Sequence, residues 1–363
     1  MRSAKAPIET VRVSTFVVPT DGPESDGTMV WDRTTVVLVE LAAAGQVGLG
    51  WTYADKATAD VIRGKLVEVV QGADAMAIPE LWAAMSTSIR NLGRPGIASM
   101  AMAAVDAAAW DLKAKVLGMP LVTLLGARRE AAPAYGSGGF TSYDDAKLAE
   151  QLGSWVAAGF SRVKMKVGRD PARDVHRVRV ARRAIGDASL FVDANGAYDR
   201  TQALKLAEAF REIGVVWFEE PVTSDDLEGL RLLRDRAPGG MDIAAGEYGY
   251  DLHYFRHMLA ALAVDVLQAD ATRCGLSNFL RTDALCEAFS TPLSAHCAPA
   301  LHTHVACASQ RLIHVEYFHD HARIEQMLFD GAPVPRSGAL WPDLSRPGLG
   351  VELKRADAAR FAA

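Results

Sequence analysis

The feature that most constrains the fold is a regular alternation of short apolar runs with amphipathic helical stretches. It begins after about residue 130, and the apolar runs lie near residues 134–136, 162–167, 190–193, 215–219, 242–245, 266–269, 292–295 and 313–317. Alternation of strands and helices indicates a parallel sheet. Eight such units are typical of a closed (β/α) barrel, and an open doubly wound sheet is the alternative.

The segments on either side of this repeat have a different pattern. Residues 1–128 predict an α+β domain with strands at Val11–Val18, Thr34–Leu41 and Gln46–Trp51 and helices at Ala57–Gln71 and Pro79–Ile89. An Ala-rich helix over Ile97–Val116 is apolar on nearly all sides, so we expect it to be buried between two domains. The polar segment Thr20–Gly27 predicts a mobile surface loop. The barrel is assigned to residues 129–332, and the tail, 333–363, is expected to pack on the first domain.

Composition excludes several classes of function. The net charge is −5 and the basic residues form no cluster, which argues against a nucleic-acid or membrane surface. Met1–Pro7 lacks the apolar core of a signal peptide, and no apolar run approaches the roughly 18 residues of a membrane helix. The four cysteines form no CxxC pair. Reduced cysteines and a cytoplasmic location are therefore expected.

Polar residues follow the predicted barrel strands at their carboxyl ends, where barrel enzymes place their active sites. Seven consecutive strands end in groups that bind metals or transfer protons: Lys164 and Lys166, Asp193 and Asn195, Glu219, Glu247, Asp270, His296, and Glu316.

The carboxylates of Asp193, Glu219 and Glu247 end three neighbouring strands. Such groups repel one another in a barrel mouth unless a cation lies between them. Oxygen ligands without His or Cys favour Mg²⁺ over Zn²⁺. The alternative is that each carboxylate caps the helix that follows its strand.

Two further pairs predict acid–base chemistry. Lys164 and Lys166 are two positions apart, so both point to the same side of their strand. If that side is the barrel interior, each lysine lowers the pKa of the other and favours a neutral base. Asp270 and His296 end adjacent strands, and a carboxylate there holds the imidazole in one tautomer. The remaining histidines in this region, His302, His304, His314, His319 and His321, are expected to be structural.

The combined set resembles the enolase superfamily, in particular its mandelate racemase subgroup. It comprises Lys164-x-Lys166, Asp193-x-Asn195, Glu219-Glu220-Pro221, Gly246-Glu247, Asp270, His296 and Glu316. The resemblance covers nearly the whole chain. It implies a modified (β/α)8 TIM-type barrel, (β/α)7β, with an α+β capping domain formed by the N-terminal segment and the C-terminal tail.

The resemblance also implies a role for each residue. Asp193, Glu219 and Glu247 are expected to bind Mg²⁺, and Lys166 to act as the base on one face of the substrate, with Lys164 tuning it. His296, paired with Asp270, is expected to act on the opposite face. Glu316, if protonated, is expected to donate to a substrate carboxylate, and Asn195 to contact the metal or a substrate hydroxyl. Symmetric homo-oligomers are common among such proteins and are expected by analogy.

This site predicts removal of the proton next to a carboxylate, and two outcomes follow from the enediolate. Loss of a β-hydroxyl gives a dehydratase, and return of a proton gives a racemase or epimerase. The polar loop before Arg33 favours a small-molecule acid sugar over an aromatic acid. Asp21, Trp31, Tyr53 and Arg273 are the predicted substrate contacts. A metal-free Schiff-base aldolase on Lys166 and a non-catalytic barrel are the alternatives from other classes.

Overall fold

A computed structural model describes residues 5–363, so most of the Met1–Pro7 segment lies outside the described residues. The strands are β1 (Thr10–Ser25), β2 (Val30–Ala43), β3 (Gln46–Tyr53), β4 (Ala132–Gly138), β5 (Arg162–Lys166), β6 (Ser189–Asp193), β7 (Val215–Glu219), β8 (Asp242–Ala245), β9 (Val266–Ala269), β10 (Leu293–Ala295), β11 (Leu312–Phe318), β12 (Phe329–Asp330), β13 (Ala339–Leu340) and β14 (Glu352–Leu353).

The helices are α1 (Ala57–Val61), α2 (Val67–Val70), α3 (Ile78–Ser88), α4 (Ile97–Leu117), α5 (Leu121–Leu125), α6 (Asp145–Ala157), α7 (Pro171–Ile185), α8 (Arg200–Glu212), α9 (Leu227–Arg236), α10 (Leu252–Ala260), α11 (Ala271–Ala288), α12 (Pro299–Ala308), α13 (His319–Leu328) and α14 (Arg355–Ala358). A π-helical turn, Ile62–Leu66, joins α1 to α2, and a 3₁₀ turn, Ala359–Phe361, follows α14.

Strands β4 to β11 form a closed parallel barrel. Each strand pairs with the next along the chain, and β11 pairs with β4 through Val315 opposite Ala134 and Glu316 opposite Tyr135. This last pairing closes the ring, so the predicted barrel is confirmed and the open sheet is excluded. Because all eight strands run the same way, their carboxyl ends meet at one mouth.

The capping domain contains an antiparallel sheet in the order β1-β2-β3. The prediction of a mobile loop at Thr20–Gly27 was wrong over most of its length. Strand β1 continues to Ser25, and after a register shift Glu24 pairs with Trp31 and Ser25 with Val30. Glu24 and Ser25 are buried. Hairpin pairing with β2 therefore overrides the turn-forming composition.

Helix α4 is buried along most of its length, as its composition predicts. It packs on β3 at two glycines. An ideal Cβ on Gly48 would lie 2.3 Å from the Ala108 carbonyl oxygen, and one on Gly50 would lie 2.2 Å from that of Ala104. The helix backbone therefore lies directly against the sheet, which is possible only because these strand positions have no side chain.

Two aspartates connect α4 to other parts of the molecule. Asp106 accepts hydrogen bonds from the backbone N–H (2.8 Å) and the hydroxyl (2.6 Å) of Ser277 on barrel helix α11. Asp111 accepts from the backbone N–H groups of Leu49 and Leu349, at 2.7 Å each. The charged positions that interrupt this apolar helix thus join the capping sheet, the tail and the barrel.

Helix α11 is broken at Gly275, whose φ is +82°. An ideal Cβ at this position would lie 2.7 Å from the Trp82 ring and 3.0 Å from Asp106 Oδ2. The capping domain therefore packs against the barrel at the break in α11, the helix that follows β9. We call the contacts of Trp82 and Asp106 with Gly275 and Ser277 the α4–α11 anchor.

The tail contacts both parts of the molecule. Strand β13 pairs with the start of β4 in the barrel, and β14 pairs with β12. Arg355 forms an ion pair with Glu40 of the capping sheet at 2.5 Å. The division at residues 128 and 332 stays a prediction. Within residues 5–363, no helix combines the length and apolar character needed to cross a membrane.

We expect Gly50→Ala to destabilise the protein by roughly 1–3 kcal/mol or more, because the new methyl group collides with helix backbone that cannot move freely. Gly64→Ala is the control, since a Cβ there meets no atom within 4 Å in a helical turn. Alanine should raise stability there by roughly 0.5–1 kcal/mol. Denaturant unfolding measures both, and equal stability of the two variants would contradict the packing argument.

Candidate active site

Three carboxylates converge at the mouth of the barrel. Asp193 ends β6, Glu219 ends β7, and Glu247 follows β8. All three are buried, and one oxygen of each lies within 4.8 Å of the others. Gly246 precedes Glu247 with a φ of +131°, and a Cβ there would lie 2.3 Å from the Gln268 carbonyl oxygen. The glycine thus permits the close backbone approach that positions Glu247.

Helix capping does not explain these carboxylates. The helices that follow β6, β7 and β8 are capped by the side chains of Asp199, Asp226 and Asp251, which accept hydrogen bonds from backbone N–H groups of the first turn. Burial and the charge of Asp193 raise the pKa of Glu219 to about 8. The repulsion expected from the sequence is therefore present at this site.

Both lysines of β5 lie among these acids. Lys164 Nζ is 2.5 Å from Glu219 Oε1, 2.8 Å from Glu316 Oε1 and 3.4 Å from Asp193 Oδ2. Lys166 Nζ is 2.5 Å from Asp193 Oδ2. Both lysines are buried. Their charges balance part of the negative charge at the mouth.

The expectation that the lysines lower each other's pKa holds only in part. Burial and the charge of Lys164 lower the pKa of Lys166, but Asp193 outweighs them and the net shift is upward. The pKa of Lys164 also lies above its usual range, because Glu219 and Glu316 outweigh burial. The acids therefore favour the protonated form of both lysines.

The expected role of Glu316 as a donor to a substrate carboxylate stays a prediction. Burial raises the pKa of Glu316, but the charges of Lys164 and His296 outweigh it and hold the pKa below its usual range. The hydroxyl of Ser137 on β4 also donates to Glu316 Oε1, at 2.6 Å. Glu316 therefore accepts a hydrogen bond from Ser137 and pairs with Lys164.

His296 and Asp270 form the expected pair, with 3.0 Å between Nδ1 and Oδ2. The other Asp270 oxygen, Oδ1, caps α11 by accepting from the N–H and hydroxyl of Thr272, at 2.7 Å each. The helix therefore fixes the carboxylate that orients the imidazole. Burial lowers the pKa of His296, but Glu247 and Asp270 outweigh it, so the pKa lies above its usual value. This favours His296 as a proton donor.

The mouth opens into a cavity of about 500 Å³ between the barrel and the capping sheet. Lys166, Glu247, Asp270 and His296 line it, together with the predicted contacts Asn195, Trp31, Tyr53 and Arg273. Asp21 does not line this cavity, and its carboxylate lies 2.9 Å from His319 Nε2. We therefore leave Asp21 out of the proposed site.

Sequence reasoning missed several groups around the cavity. The His321 ring stacks on Tyr53 with 3.5 Å between centroids and lines the cavity, and its expected structural role stays a prediction. Cys297 Sγ lies 3.2 Å from His296 Nε2. Glu24 is buried and accepts from Trp31 Nε1 at 2.7 Å. Cys297 adjoins a predicted site residue, and His321 follows the last barrel strand. Glu24 lies in the predicted loop Thr20–Gly27, whose acidic residues favoured an acid sugar.

Family models match both parts of the chain. Residues 9–126 match the "Mandelate racemase / muconate lactonizing enzyme, N-terminal domain", and residues 147–358 match "Enolase C-terminal domain-like". The chain belongs to the enolase superfamily, mandelate racemase subgroup. The resemblance seen in its strand-end residues is confirmed.

Individual relatives agree with this placement. A mandelate racemase/muconate lactonizing enzyme-like protein from Rubrobacter xylanophilus is 55% identical, with a TM-score of 0.96 over 98% of this chain and 100% of that one. The L-talarate/galactarate dehydratase of Salmonella typhimurium is 30% identical over 95% of this chain and 89% of its own length. Its structure liganded with Mg and L-lyxarohydroxamate aligns with a TM-score of 0.90 at 28% identity, over 100% of this chain and 95% of that one.

A third relative has a different activity. The 3,6-anhydro-alpha-L-galactonate cycloisomerase of Streptomyces coelicolor is 33% identical over 95% of this chain and 97% of its own length. Relatives of similar identity therefore carry out different reactions, so similarity alone does not select one.

Glu24 gives a pH prediction. Burial and the charge of Asp320 raise its pKa from 4.5 to about 8. Between these values the unfolded chain has lost a proton that the folded protein still holds, so Glu24 lowers stability as pH rises from 4.5 to 8. Glu24→Gln should remove this contribution, and the variant should lose less stability than the wild type between pH 5 and 8.

Denaturant unfolding at pH 5 and pH 8 measures the difference. Asp32→Asn is the control, because its side chain is 81% exposed. A Glu24→Gln variant whose stability falls as steeply as that of the wild type would disprove the assignment.

Proposed function

We propose that this protein is a Mg²⁺-dependent dehydratase of an acid sugar, which it converts to a 2-keto-3-deoxy acid. The observation that carries the proposal is the meeting, at the barrel mouth, of a buried three-carboxylate cluster with Lys166 and with the His296–Asp270 pair. Dehydratases of acid sugars among the relatives, one of them crystallised with Mg, support the same reading.

The donor set fits Mg²⁺. Asp193, Glu219 and Glu247 offer only oxygen atoms, which this ion prefers. Glu247 Oε2 is buried and accepts no hydrogen bond from the described residues, although His296 Nε2 lies 3.2 Å away. When bound, the ion supplies Lewis-acid stabilisation of the negative charge that develops on a substrate carboxylate.

Two residues of the protein then carry out one proton transfer each. Lys166 Nζ takes the proton from the carbon next to the carboxylate, and His296 Nε2 donates a proton to the β-hydroxyl as it leaves as water. Asp193 is the main charge that raises the pKa of Lys166. Its use as a metal ligand therefore also frees Lys166 to act as a base. Lys164 stays protonated and stabilises negative charge nearby.

Racemisation or epimerisation of a 2-hydroxy acid is the second candidate. It is favoured by the placement of Lys166 on β5 and His296 after β10, strands separated in the ring by β4 and β11. Groups that reach a substrate from different sides of the ring allow a proton to leave one face and return on the other. A cytoplasmic location and symmetric self-assembly stay predictions.

A screen of mono- and diacid sugars with Mg²⁺ in D₂O tests the proposal. NMR should show a keto acid for at least one substrate. Deuterium at the α-carbon without a keto acid would favour the racemase or epimerase, and activity that survives EDTA would favour a Schiff-base aldolase.

Substitution of the acid–base groups should separate the two proton transfers. Lys166→Ala should reduce turnover about 100-fold or more, since it removes the base. His296→Asn should block elimination yet leave some exchange of the α-proton through Lys166. Lys205→Ala, on the exposed face of α8, is the control and should keep wild-type turnover. Normal elimination in His296→Asn would contradict the assignment.

Metal binding should be visible without any substrate. At about 100 times its dissociation constant, Mg²⁺ should raise the free energy of unfolding by about 2.7 kcal/mol. Asp193→Asn should lose this gain, because it removes a ligand. Asp199→Asn is the matched control: it weakens only the cap of α8 and should retain the gain. A gain that persists in Asp193→Asn would place the ion elsewhere.

A further inference from the structure

The barrel mouth contains a second group of metal-ligand type beside the three carboxylates. It consists of His296, Cys297 and Glu316, all buried, and we call it the thiol cluster. The proposed reaction uses His296 and Glu316 but has no role for the thiol of Cys297. A nitrogen, a sulfur and an oxygen together form a ligand set that suits Zn²⁺ and similar thiophilic ions rather than Mg²⁺.

The spacing of the three atoms is close to that of a tetrahedral site. Cys297 Sγ lies 3.2 Å from His296 Nε2 and 3.4 Å from Glu316 Oε2, and these last two atoms are 3.7 Å apart. Usual Zn–S, Zn–N and Zn–O bond lengths place tetrahedral ligand atoms roughly 3.3–3.6 Å apart. Shifts of a few tenths of an ångström would therefore complete the site.

The surroundings of His296 support the same conclusion. Asp270 Oδ2 lies 3.0 Å from Nδ1 and keeps a proton on that nitrogen, so Nε2 is the nitrogen that can lose its proton to bind an ion. Nε2 lies 3.2 Å from Cys297 Sγ and 3.2 Å from Glu247 Oε2. A carboxylate behind a ligating histidine is the usual outer partner in zinc proteins. His296 and Cys297 both line the cavity, so an ion can reach them from solvent.

We propose that a thiophilic divalent cation such as Zn²⁺ binds the thiol cluster and inhibits the enzyme while Mg²⁺ occupies the carboxylate site. As the Zn–S and Zn–N bonds form, the thiol proton of Cys297 and the proton of His296 Nε2 leave to solvent. The ion occupies His296 Nε2, the atom assigned to proton donation, so turnover stops. The inhibitory part rests on the proposed function, whereas the binding part does not.

Cd²⁺ absorbance tests binding without any assay of activity, because cadmium–thiolate bonds absorb in the ultraviolet and cadmium–carboxylate bonds do not. With excess Mg²⁺ present, Cd²⁺ should produce this band in the wild type and not in Cys297→Ala. Cys307→Ala, which removes a buried thiol on α12 that does not line the cavity, is the control and should keep the band. A band that persists in Cys297→Ala would overturn the proposal.

Zn²⁺ titration of turnover tests inhibition. Cys297→Ala should raise the Zn²⁺ concentration for half-inhibition at least about tenfold, and tenfold more Mg²⁺ should not relieve the inhibition of the wild type. Unchanged sensitivity in the variant, or full relief by Mg²⁺, would instead place Zn²⁺ on the carboxylates and overturn the proposal. If Cys297→Ala fails to fold, Cys297→Ser should show the same losses. If no acid sugar is turned over, the Cd²⁺ band still decides whether the ion binds.

Discussion

The buried charges at the barrel mouth form one network, and the site depends on it. Lys164 contacts Glu219, Glu316 and Asp193, and Lys166 contacts Asp193, with both lysines buried. Removal of one partner from a buried pair costs roughly 3–5 kcal/mol, because the other charge is left unpaired. A substitution that leaves one charge of the network unpaired is therefore expected to lower the free energy of unfolding. The parallel barrel makes it possible by bringing the strand ends together.

The same network sets the protonation of each member. Burial and the opposite charges of the network shift the pKa of each carboxyl group in opposite directions, and the net shift differs from residue to residue. Glu219 has a raised pKa and Glu316 a lowered one, although both are buried glutamates beside Lys164. The difference follows from the second neighbour of each: Asp193 for Glu219 and His296 for Glu316. Roles within the site are thus set by position rather than by residue type.

The sequence predicted the barrel and most of the site because both follow from periodic patterns. Apolar runs at regular spacing located the strands, and the rule for barrel strand ends then selected residues from Lys164 to Glu316. Other features depend on particular contacts that no periodic pattern records, and these were missed. The turn-forming composition of Thr20–Gly27 gave no sign that β1 pairs again with β2 beyond Pro19. Likewise, the pKa of Lys166 is raised because the charge of Asp193 outweighs burial and the charge of Lys164. A strand pattern alone does not reveal which of these effects is larger.

Positions at the α4–α11 anchor and positions at the rim of the cavity differ in the substitutions that they tolerate. At the anchor, Gly275 and Asp106 are confined by backbone conformation, ring contact and hydrogen bonds, so few side chains are tolerated. At the connection between β1 and β2, by contrast, Met29 and Val30 are 60% and 57% exposed. Substitutions can therefore accumulate at the rim of the cavity while the contact between the capping domain and the barrel is retained. Substrate specificity can therefore change in a lineage without any substitution of the acid–base residues.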